Sequence, residues 1–322
     1  MGNRKIKVKI KTDLQKDRKI NVEEFFQLHE YFIKDKGLEG LANRTIKGYE
    51  VNLQYFKKWL EYEYQSDYNR VAIEVDLFKK YLYHMQNEKE YNPFTINIRI
   101  RTLKTYLKWL YNEKYISTDI NIKVKKVKVP QDFTVPLTDN DIKRLLENCD
   151  TSTYAGYRDY CIIITILDCG IRIHELCVLK NNDIDLKHGL IKVNAETTKT
   201  RTARLLPVST KTCKLLKQLI DITREMESDY VFQSTYGGKI KASNIALSLN
   251  RIRNKAGIEK SCTPYVLRHT FATNAVRSSM DVLTLQRIMG HSTILTTRKY
   301  VQLNTNDLKE KHDRLNPIDK YF

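Results

Sequence analysis

The chain has 322 residues, of which 41% are hydrophobic, and this length favours two domains with separate cores over a single one. Lysine and arginine outnumber aspartate and glutamate by 56 to 38, which gives a net charge of +18 at pH 7. Such an excess favours a partner rich in phosphates, with nucleic acid first, although basic proteins that act at ribosomes or membranes share this balance.

The first 20 residues contain eight lysines and arginines against two aspartates, which is typical of a flexible basic arm. The arm could contact the DNA backbone, and a solvated tail is an equal alternative. The segment lacks the apolar core of a signal peptide, and the longest apolar run, from Cys161 to Leu167, is too short to span a membrane. Six cysteines without a CxxC pair or a zinc-like spacing fit reduced thiols. We therefore expect a cytoplasmic protein with no membrane contact.

Residues 21–120 are predicted to form a helical domain, because apolar residues recur there at helical spacing in two stripes. The stripes consist of Ile46, Tyr49, Leu53, Phe56 and Leu60, and of Ile96, Ile100, Leu103, Leu107 and Leu110. Cationic side chains fall off the second stripe and would give its helix a basic face toward DNA, with an ordinary solvated face as the alternative. These side chains are Arg99, Arg101, Lys104 and Lys108.

The helical periodicity stops between 121 and 136, where several lysines are followed by two prolines. This pattern predicts a basic interdomain linker. An extended basic strap suits two domains that close around a duplex. The linker lysines expected to approach DNA are Lys123, Lys125 and Lys126.

Residues 137–304 are predicted to form a mainly helical domain with one small antiparallel sheet. Thr138 and Asp141 have the spacing of a reciprocal helix cap, and Gly170 ends a helix that begins near Tyr157. Three short apolar segments between 183 and 208, bounded by Asn, Gly and Pro, predict the sheet. Further helices are predicted at 210–222, 242–256, 264–277, 281–289 and 305–312.

Four motifs in this domain carry the candidate chemistry. They are CGIRIHEL from residue 169, TK at 198 followed by RLLP at 204, TPYVLRHTFAT from 263, and LQRIMGHS from 285 with TTRKYV from 296. In order, composition and spacing these motifs resemble the tyrosine recombinase (integrase) family, strongly over 137–303 and in kind only for the N-terminal helices. The resemblance implies a SAM-like helical core-binding domain followed by an α+β catalytic domain, in an Xer-like architecture.

The resemblance and the chemistry of phosphoryl transfer together assign the main roles. Arg172 and Arg268 would neutralise the non-bridging oxygens of the scissile phosphate with planar, bidentate donors. Tyr300 would be the nucleophile that forms a 3′-phosphotyrosine ester. Lys199 is expected to protonate the departing 5′ oxygen, with Lys192 as a competing candidate because the turn lacks the glycines usual in the family.

The remaining site residues are expected to support these groups. His291 would donate a hydrogen bond to the phosphate, and Glu175 would orient the arginine one helical turn before it or a neighbouring group. The family usually has histidine where this chain has Tyr265, and a phenol, which titrates near pH 10, is a poor base at neutral pH. We therefore expect Tyr265 to support the phosphate geometry and not to act as the nucleophile. His174 and His269 are expected to be structural.

No cofactor or metal is expected, because no Gly-rich phosphate loop or metal-ligand cluster appears and a phosphotyrosine ester conserves the phosphodiester energy. The resemblance implies double-stranded DNA with paired core sites, a tetramer on DNA and accessory DNA-bending proteins. The tail, 305–322, could pack on a neighbouring subunit or fold back on its own domain. The basic arm and Tyr265 favour a mobile-element integrase. The alternatives are a dimer-resolving recombinase, a type IB topoisomerase and a catalytically silent DNA-binding protein.

Overall fold

A computed structural model of the chain describes residues 18–129, 134–198, 202–224, 226, 228–300, 312, 318 and 321. The chain divides into two compact units, Met1–Asp132 and Phe133–Phe322, each with its own hydrophobic core. The predictions for Lys199, for the arm up to residue 17 and for most of the tail lie outside the described residues. Within the described ranges, no helix combines the length and the hydropathy needed to cross a bilayer.

The secondary-structure elements described in the first unit are helices and helical turns, apart from one isolated β-bridge between Asn21 and Ala72. Its helices are α1 (Val22–Leu38), α2 (Asn43–Tyr64), α3 (Val75–Tyr83), α4 (Pro93–Asn112) and α5 (Ile120–Lys123), with a 3-10 turn at Gln65–Arg70 and a π turn at His84–Glu88. The apolar stripe predicted on α4 is fully buried, and the stripe on α2 is buried from Leu53 onward. Aromatic rings fill much of the core around these helices. The ring centroids of Phe25 on α1 and Tyr106 on α4, for example, lie 4.7 Å apart.

The segment after α5 packs on α4, although the sequence places it in the linker 121–136. Asn97 on α4 exchanges two hydrogen bonds of 2.9 Å with the backbone of Val127. The Lys104 ammonium donates to the carbonyls of Asn121 and Val124. The first unit therefore continues in ordered contact to residue 127.

The second unit combines helices with a small sheet. Its elements are α6 (Asp139–Glu147), α7 (Tyr154–Cys169), α8 (Ile173–Leu176), β1 (Ile184–Asp185), β2 (Leu190–Val193), β3 (Arg204–Pro207), α9 (Thr210–Ile222), α10 (Ala242–Lys255), α11 (Pro264–Arg277), α12 (Val282–Met289) and α13 (Ile294–Arg298). The strands form an antiparallel sheet in the order β1-β2-β3, with Val193 opposite Arg204. The predicted mainly helical fold with a small antiparallel sheet is confirmed; α13 is an additional helix that the sequence analysis did not predict.

Individual residues determine where α6 begins and where α7 ends. Thr138 and Asp141 form the predicted reciprocal cap at the start of α6, with hydrogen bonds of 3.1 and 2.9 Å. Helix α7 ends at Gly170, whose φ of 62° is in the left-handed region. A Cβ at Gly170 would lie 2.3 Å from the Phe271 ring, so the packing of α11 against α7 also requires glycine there.

A buried ion pair holds α7 to its neighbours. Arg158 and Asp159 are 7% and 6% exposed, and Arg158 Nη2 lies 2.8 Å from Asp159 Oδ1. The second carboxylate oxygen accepts from Ser248 on α10, and Arg158 Nη1 donates to the carbonyl of Gln233 at 3.0 Å. Each buried charge therefore has partners on other segments.

All six cysteines are buried free thiols. Burial raises the pKa of Cys149, Cys161 and Cys169 to about 12 each. These side chains belong to the core of the second unit.

Asp159→Ala should lower the free energy of unfolding by about 3 kcal/mol, because it leaves the Arg158 charge buried without its carboxylate. Chemical denaturation followed by circular dichroism measures this change. The matched control is Glu147→Ala, which removes an exposed ion pair with Lys143 and should change stability by less than about 1 kcal/mol. Equal effects of the two substitutions would contradict the expected contribution of the buried pair.

Candidate active site

Three arginines meet at the C-terminal ends of α7 and α12. Arg172, just before α8, donates from Nη2 to the carbonyl of Gly290 at 2.6 Å. Arg268 on α11 donates to the carbonyl of Gly170 and to the last carbonyl of α12. Arg204 on β3 donates from Nε to another carbonyl in the last turn of α12, 2.9 Å away. Carbonyls at a helix C-terminus lack partners in the helix and carry partial negative charge, so they fix guanidinium groups well.

Glu175 links two of these arginines through a buried carboxylate. Arg204 binds it with both terminal nitrogens, at 3.0 and 2.6 Å, and Arg172 Nη1 lies 3.1 Å from Oε1. The backbone N–H of Arg172 also donates to Glu175 Oε2 at 3.0 Å. Burial by itself would raise the pKa of Glu175, but the hydrogen bonds and charges of Arg204 and Arg172 outweigh it and lower that pKa. The carboxylate therefore stays ionised although it is only 3% exposed.

The cluster has more positive than negative charge. Among the described residues, the Glu175 carboxylate is the acidic group that contacts these guanidinium groups. Burial, followed by repulsion from Arg172, lowers the pKa of Arg268 to about 10, so Arg268 remains charged at neutral pH. A cleft of about 840 Å³ opens beside Arg204, Gly290 and His291. An anion bound in the cleft would reduce the repulsion among these positive charges.

His291 follows α12 after Gly290, which ends the helix with a φ of 61°. A Cβ at Gly290 would lie 3.0 Å from Arg172 Nη1, so glycine leaves room for that guanidinium. His291 Nδ1 is 2.9 Å from Thr297 Oγ1, and Nε2 is 3.4 Å from Arg268 Nη2. Burial and then the neighbouring arginine charges lower the pKa of His291 to about 4. The ring is therefore neutral here, and an anion in the cleft would raise this pKa because it opposes the same charges.

Tyr300 lies next to His291, just after α13. Its side chain is 8% exposed, and its ring is stacked at 8° to the His291 ring with centroids 6.4 Å apart. The His269 ring approaches from α11 at 5.0 Å. Burial raises the pKa of Tyr300, and the positive charges of Lys299 and Arg268 oppose that rise.

Tyr265 is 52% exposed on α11, one turn before His269. Its hydroxyl accepts a hydrogen bond of 3.1 Å from Lys299 Nζ. The same ammonium lies 5.2 Å from the centroid of the Tyr300 ring. Tyr265 thus reaches the Tyr300 region through Lys299.

The structure brings most of the predicted catalytic set into one region of the second unit. Arg172 contacts Glu175, and Arg268 contacts His291, whose ring stacks on Tyr300; the two arginines bind the adjacent carbonyls of Gly290 and Met289. The position of Lys199 falls outside the described residues, and the competing Lys192 is exposed on β2 opposite Leu205.

The sequence analysis missed two residues of this region, Arg204 and Lys299. Arg204 stood inside the quoted RLLP motif, but its partner Glu175 is 29 positions away in the sequence. Lys299 is adjacent to Tyr300, and this adjacency was the available signal.

The predicted DNA-binding cations of the first unit differ in exposure. The exposed members are Arg101, Lys108, Lys123, Lys125 and Lys126. Lys104 is half-buried because it binds backbone carbonyls. A cleft of about 510 Å³ is lined by cations of this set, namely Arg101, Lys104, Lys108 and Lys126.

Arg99 is buried, contrary to the expectation that it lies outside the apolar stripe on an exposed basic face. Its side chain is 8% exposed, and its guanidinium lies 3.9 Å from the ring centroid of Tyr55 and 4.4 Å from that of Tyr91. Stacking of the guanidinium on two aromatic rings explains how a cation is accommodated at this buried position. In this arrangement Arg99 does not form part of an exposed basic face.

Comparison with known proteins identifies the family. The sequence profile of the phage integrase family matches residues 136–307, which is more than half of the chain. The chain belongs to this family. As a member of the phage integrase family it is a site-specific tyrosine recombinase, a DNA strand-exchange enzyme.

Individual relatives agree with this membership. Tyrosine recombinase XerD of Listeria innocua is 27% identical over 290 residues, which cover 87% of this chain and 94% of that protein. The structure of the Tn1549 transposon integrase in complex with a circular intermediate DNA has a TM-score of 0.73 at 21% identity, covering 90% of this chain and 99% of that one. A lambda integrase dimer bound to a COC′ core site has a TM-score of 0.68 at 17% identity and covers 85% and 94%. The two structural likenesses support the recombinase fold.

Arg204→Met should destabilise the protein by about 3 kcal/mol at pH 7, because the buried Glu175 carboxylate loses its bidentate partner. In the wild type the lowered pKa of Glu175 adds stability that is present above the ordinary carboxyl pKa and is lost as pH falls from that value through the lowered pKa of the folded protein. In the variant, burial should raise that pKa, so the difference from wild type should shrink between pH 7 and pH 5 as the carboxyl group takes up a proton. Denaturation at both pH values measures this. Arg204→Lys, which keeps the charge, should lose less stability, and a deficit of Arg204→Met that does not vary with pH would contradict the assignment.

Proposed function

We propose that this phage integrase family member cuts and rejoins double-stranded DNA through a 3′-phosphotyrosine ester at Tyr300, and that it integrates or excises a mobile element. One observation carries the chemical part of the proposal. Arg172 and Arg268, fixed by helix-terminal carbonyls, lie beside His291, and the ring of His291 stacks on Tyr300. A phosphate bound by this cluster of side chains would meet excess positive charge next to a nucleophile.

The cleavage step uses these side chains, Lys199, the DNA and the solvent. The phenolic oxygen of Tyr300 bonds to phosphorus, and the bond from phosphorus to the 5′ oxygen breaks with its electron pair. The proton of the phenol leaves to solvent, and the 5′ oxygen takes a proton from Lys199. Arg172 and Arg268 stabilise the charge on the non-bridging oxygens in the transition state. Attack of a 5′ hydroxyl on the phosphotyrosine ester reverses the step, so rejoining needs neither ATP nor a metal ion.

The other predicted residues support this step. Glu175 holds Arg172 through Nη1 and the Gly290 carbonyl holds it through Nη2, and the guanidinium N–H groups outside these two bonds are proposed to bind the phosphate. His291 donates to the phosphate once the anion has raised its pKa. Tyr265 supports the phosphate geometry and does not form the ester.

The proposed partner is double-stranded DNA with paired core sites, bound by four copies of the chain and by accessory DNA-bending proteins. The lambda integrase structure is a dimer on a COC′ core site, and the Tn1549 integrase structure contains DNA of a transposon intermediate. The exposed cations of the first unit, among them Arg101 and Lys126, are proposed to contact the DNA backbone. The tail, 305–322, is proposed to contact a neighbouring subunit.

A second candidate function is the resolution of replicon dimers. It is favoured by the alignment with XerD, which covers 94% of that protein and so includes its N-terminal part. The basic arm and Tyr265 favour the mobile-element role instead. Sequencing the DNA that is covalently trapped in cells separates the two, because trapped sites at the ends of a mobile element support the first role and a single chromosomal site supports the second.

Tyr300→Phe should abolish covalent attachment to DNA while leaving DNA binding intact, because phenylalanine lacks only the hydroxyl that forms the ester. The target is first found by sequencing DNA bound to the purified protein. A nicked version of that site, which prevents religation, is then incubated with each protein, and the adduct is measured on a denaturing gel. Tyr236→Phe, at an exposed tyrosine outside the proposed site, serves as the matched control and should keep the adduct. An adduct that persists in Tyr300→Phe, or a wild type that binds tightly without forming one, would count against the proposal.

Arg101→Gln should weaken DNA binding at all sequences and reduce the slope of log affinity against log salt by about 1, as expected for the loss of one phosphate contact. Fluorescence anisotropy over a salt series measures the slope. Arg70→Gln, at an exposed arginine outside the proposed set, is the control and should keep the wild-type slope. Equal slopes for wild type and Arg101→Gln would remove Arg101 from the interface.

A further inference from the structure

We propose that Lys299 activates Tyr300, with its ammonium group stabilising the phenolate that attacks the phosphate and Tyr265 holding that ammonium in place. The inference rests on the proposed function, because it assigns a role in the step that forms the phosphotyrosine ester. It adds one residue, adjacent in sequence to the nucleophile, to the machinery of the cleavage step.

The geometry places Lys299 between two phenols. Its Nζ donates to the Tyr265 hydroxyl at 3.1 Å, across 34 positions of sequence, and lies 5.7 Å from the Tyr265 ring centroid. The same atom is 5.2 Å from the centroid of the Tyr300 ring. A long side chain that is held at its tip loses fewer conformations when it interacts with a forming phenolate. Tyr265 is thus a positioning residue for Lys299.

The charges around Tyr300 are mostly positive or neutral. Burial, the largest effect, raises the pKa of its phenol, as does Tyr265, and the charges of Lys299 and Arg268 oppose this rise. The rings of His269 and His291 also face Tyr300, and burial lowers the pKa of each, so both are neutral at pH 7. A neutral imidazole does not stabilise a phenolate by charge, whereas an ammonium does.

Lys299 stays charged under these conditions. Partial burial works against its ammonium, but the hydrogen bond to Tyr265 and the charge interaction with Tyr300 outweigh it, and the pKa of Lys299 lies above its ordinary value. Lys299 is therefore not a base. The proton of the Tyr300 phenol goes to solvent, the phenolic oxygen forms the bond to phosphorus, and Lys299 keeps its own proton throughout. This arrangement lets the reaction proceed although Tyr265 is a poor proton acceptor.

The test compares Lys299→Met with Lys299→Arg on the nicked target site. Cleavage is measured in single turnover with all DNA bound, so that a change in affinity does not enter the rate. Lys299→Met should cleave about tenfold more slowly than wild type, which corresponds to a rise of one unit in the pKa of the nucleophile. Lys299→Arg should restore most of the lost rate, because it retains the charge. Lys217→Met, at an exposed lysine on α9, is the control for loss of a surface charge.

A second measurement separates activation of Tyr300 from a contact between Lys299 and the DNA. Tyr300 is replaced by a ring-fluorinated tyrosine whose phenol is already ionised at the pH of the assay. With this nucleophile the Lys299→Met substitution should no longer slow cleavage, because the phenolate forms without help. A defect that persists with the fluorinated nucleophile would assign Lys299 to phosphate binding and overturn the inference.

The outcomes distinguish this inference from the function on which it rests. A wild-type adduct together with an undiminished rate in Lys299→Met would overturn the inference alone. Absence of an adduct from the wild type would overturn the proposed function and the inference together. A slow Lys299→Met that is corrected both by arginine and by the fluorinated tyrosine would support both.

Discussion

A carboxylate that is 3% exposed needs strong partners to stay ionised, and Glu175 has two arginines. Arg204 binds this carboxylate from β3, and Arg172 binds it from the start of α8. The two ion pairs therefore connect the sheet to the helical part of the second unit. Both arginines also bind carbonyls at the end of α12, the helix that leads to His291. The orientation of the site therefore depends on one carboxylate and on the carbonyls at a helix end.

The same contacts account for the electrostatics of the cleft. Backbone carbonyls fix guanidinium groups without cancelling their full charge, whereas additional carboxylates would neutralise them. Arg268 is held in this way, and burial together with repulsion from Arg172 lowers its pKa. The fold thus fixes positively charged groups where the proposed reaction develops negative charge. Electrostatic catalysis requires this arrangement.

The sequence predicted what depends on neighbours along the chain. The stripe on α4, the cap at Thr138 and the helix end at Gly170 arise from local periodicity and local geometry, and the resemblance of the motifs to the tyrosine recombinase family implied Arg172, Arg268 and Tyr300 as candidates. Contacts across long stretches of sequence were not predictable. Helical spacing cannot show that Arg99 stacks on Tyr55, since that ring belongs to another helix. The motif around Arg204 likewise gives no sign that its guanidinium reaches Glu175.

The burial of all six thiols has a consequence for how the molecule responds to its chemical surroundings. Thiolates, not thiols, react with oxidants and alkylating reagents, and a pKa near 12 at Cys149, Cys161 and Cys169 leaves almost none of these groups ionised at neutral pH. The folded chain should therefore be inert to mild peroxide and maleimide. A cysteine introduced on the surface would accept a fluorescent label selectively, so the movements of either unit could be followed without removing the native cysteines.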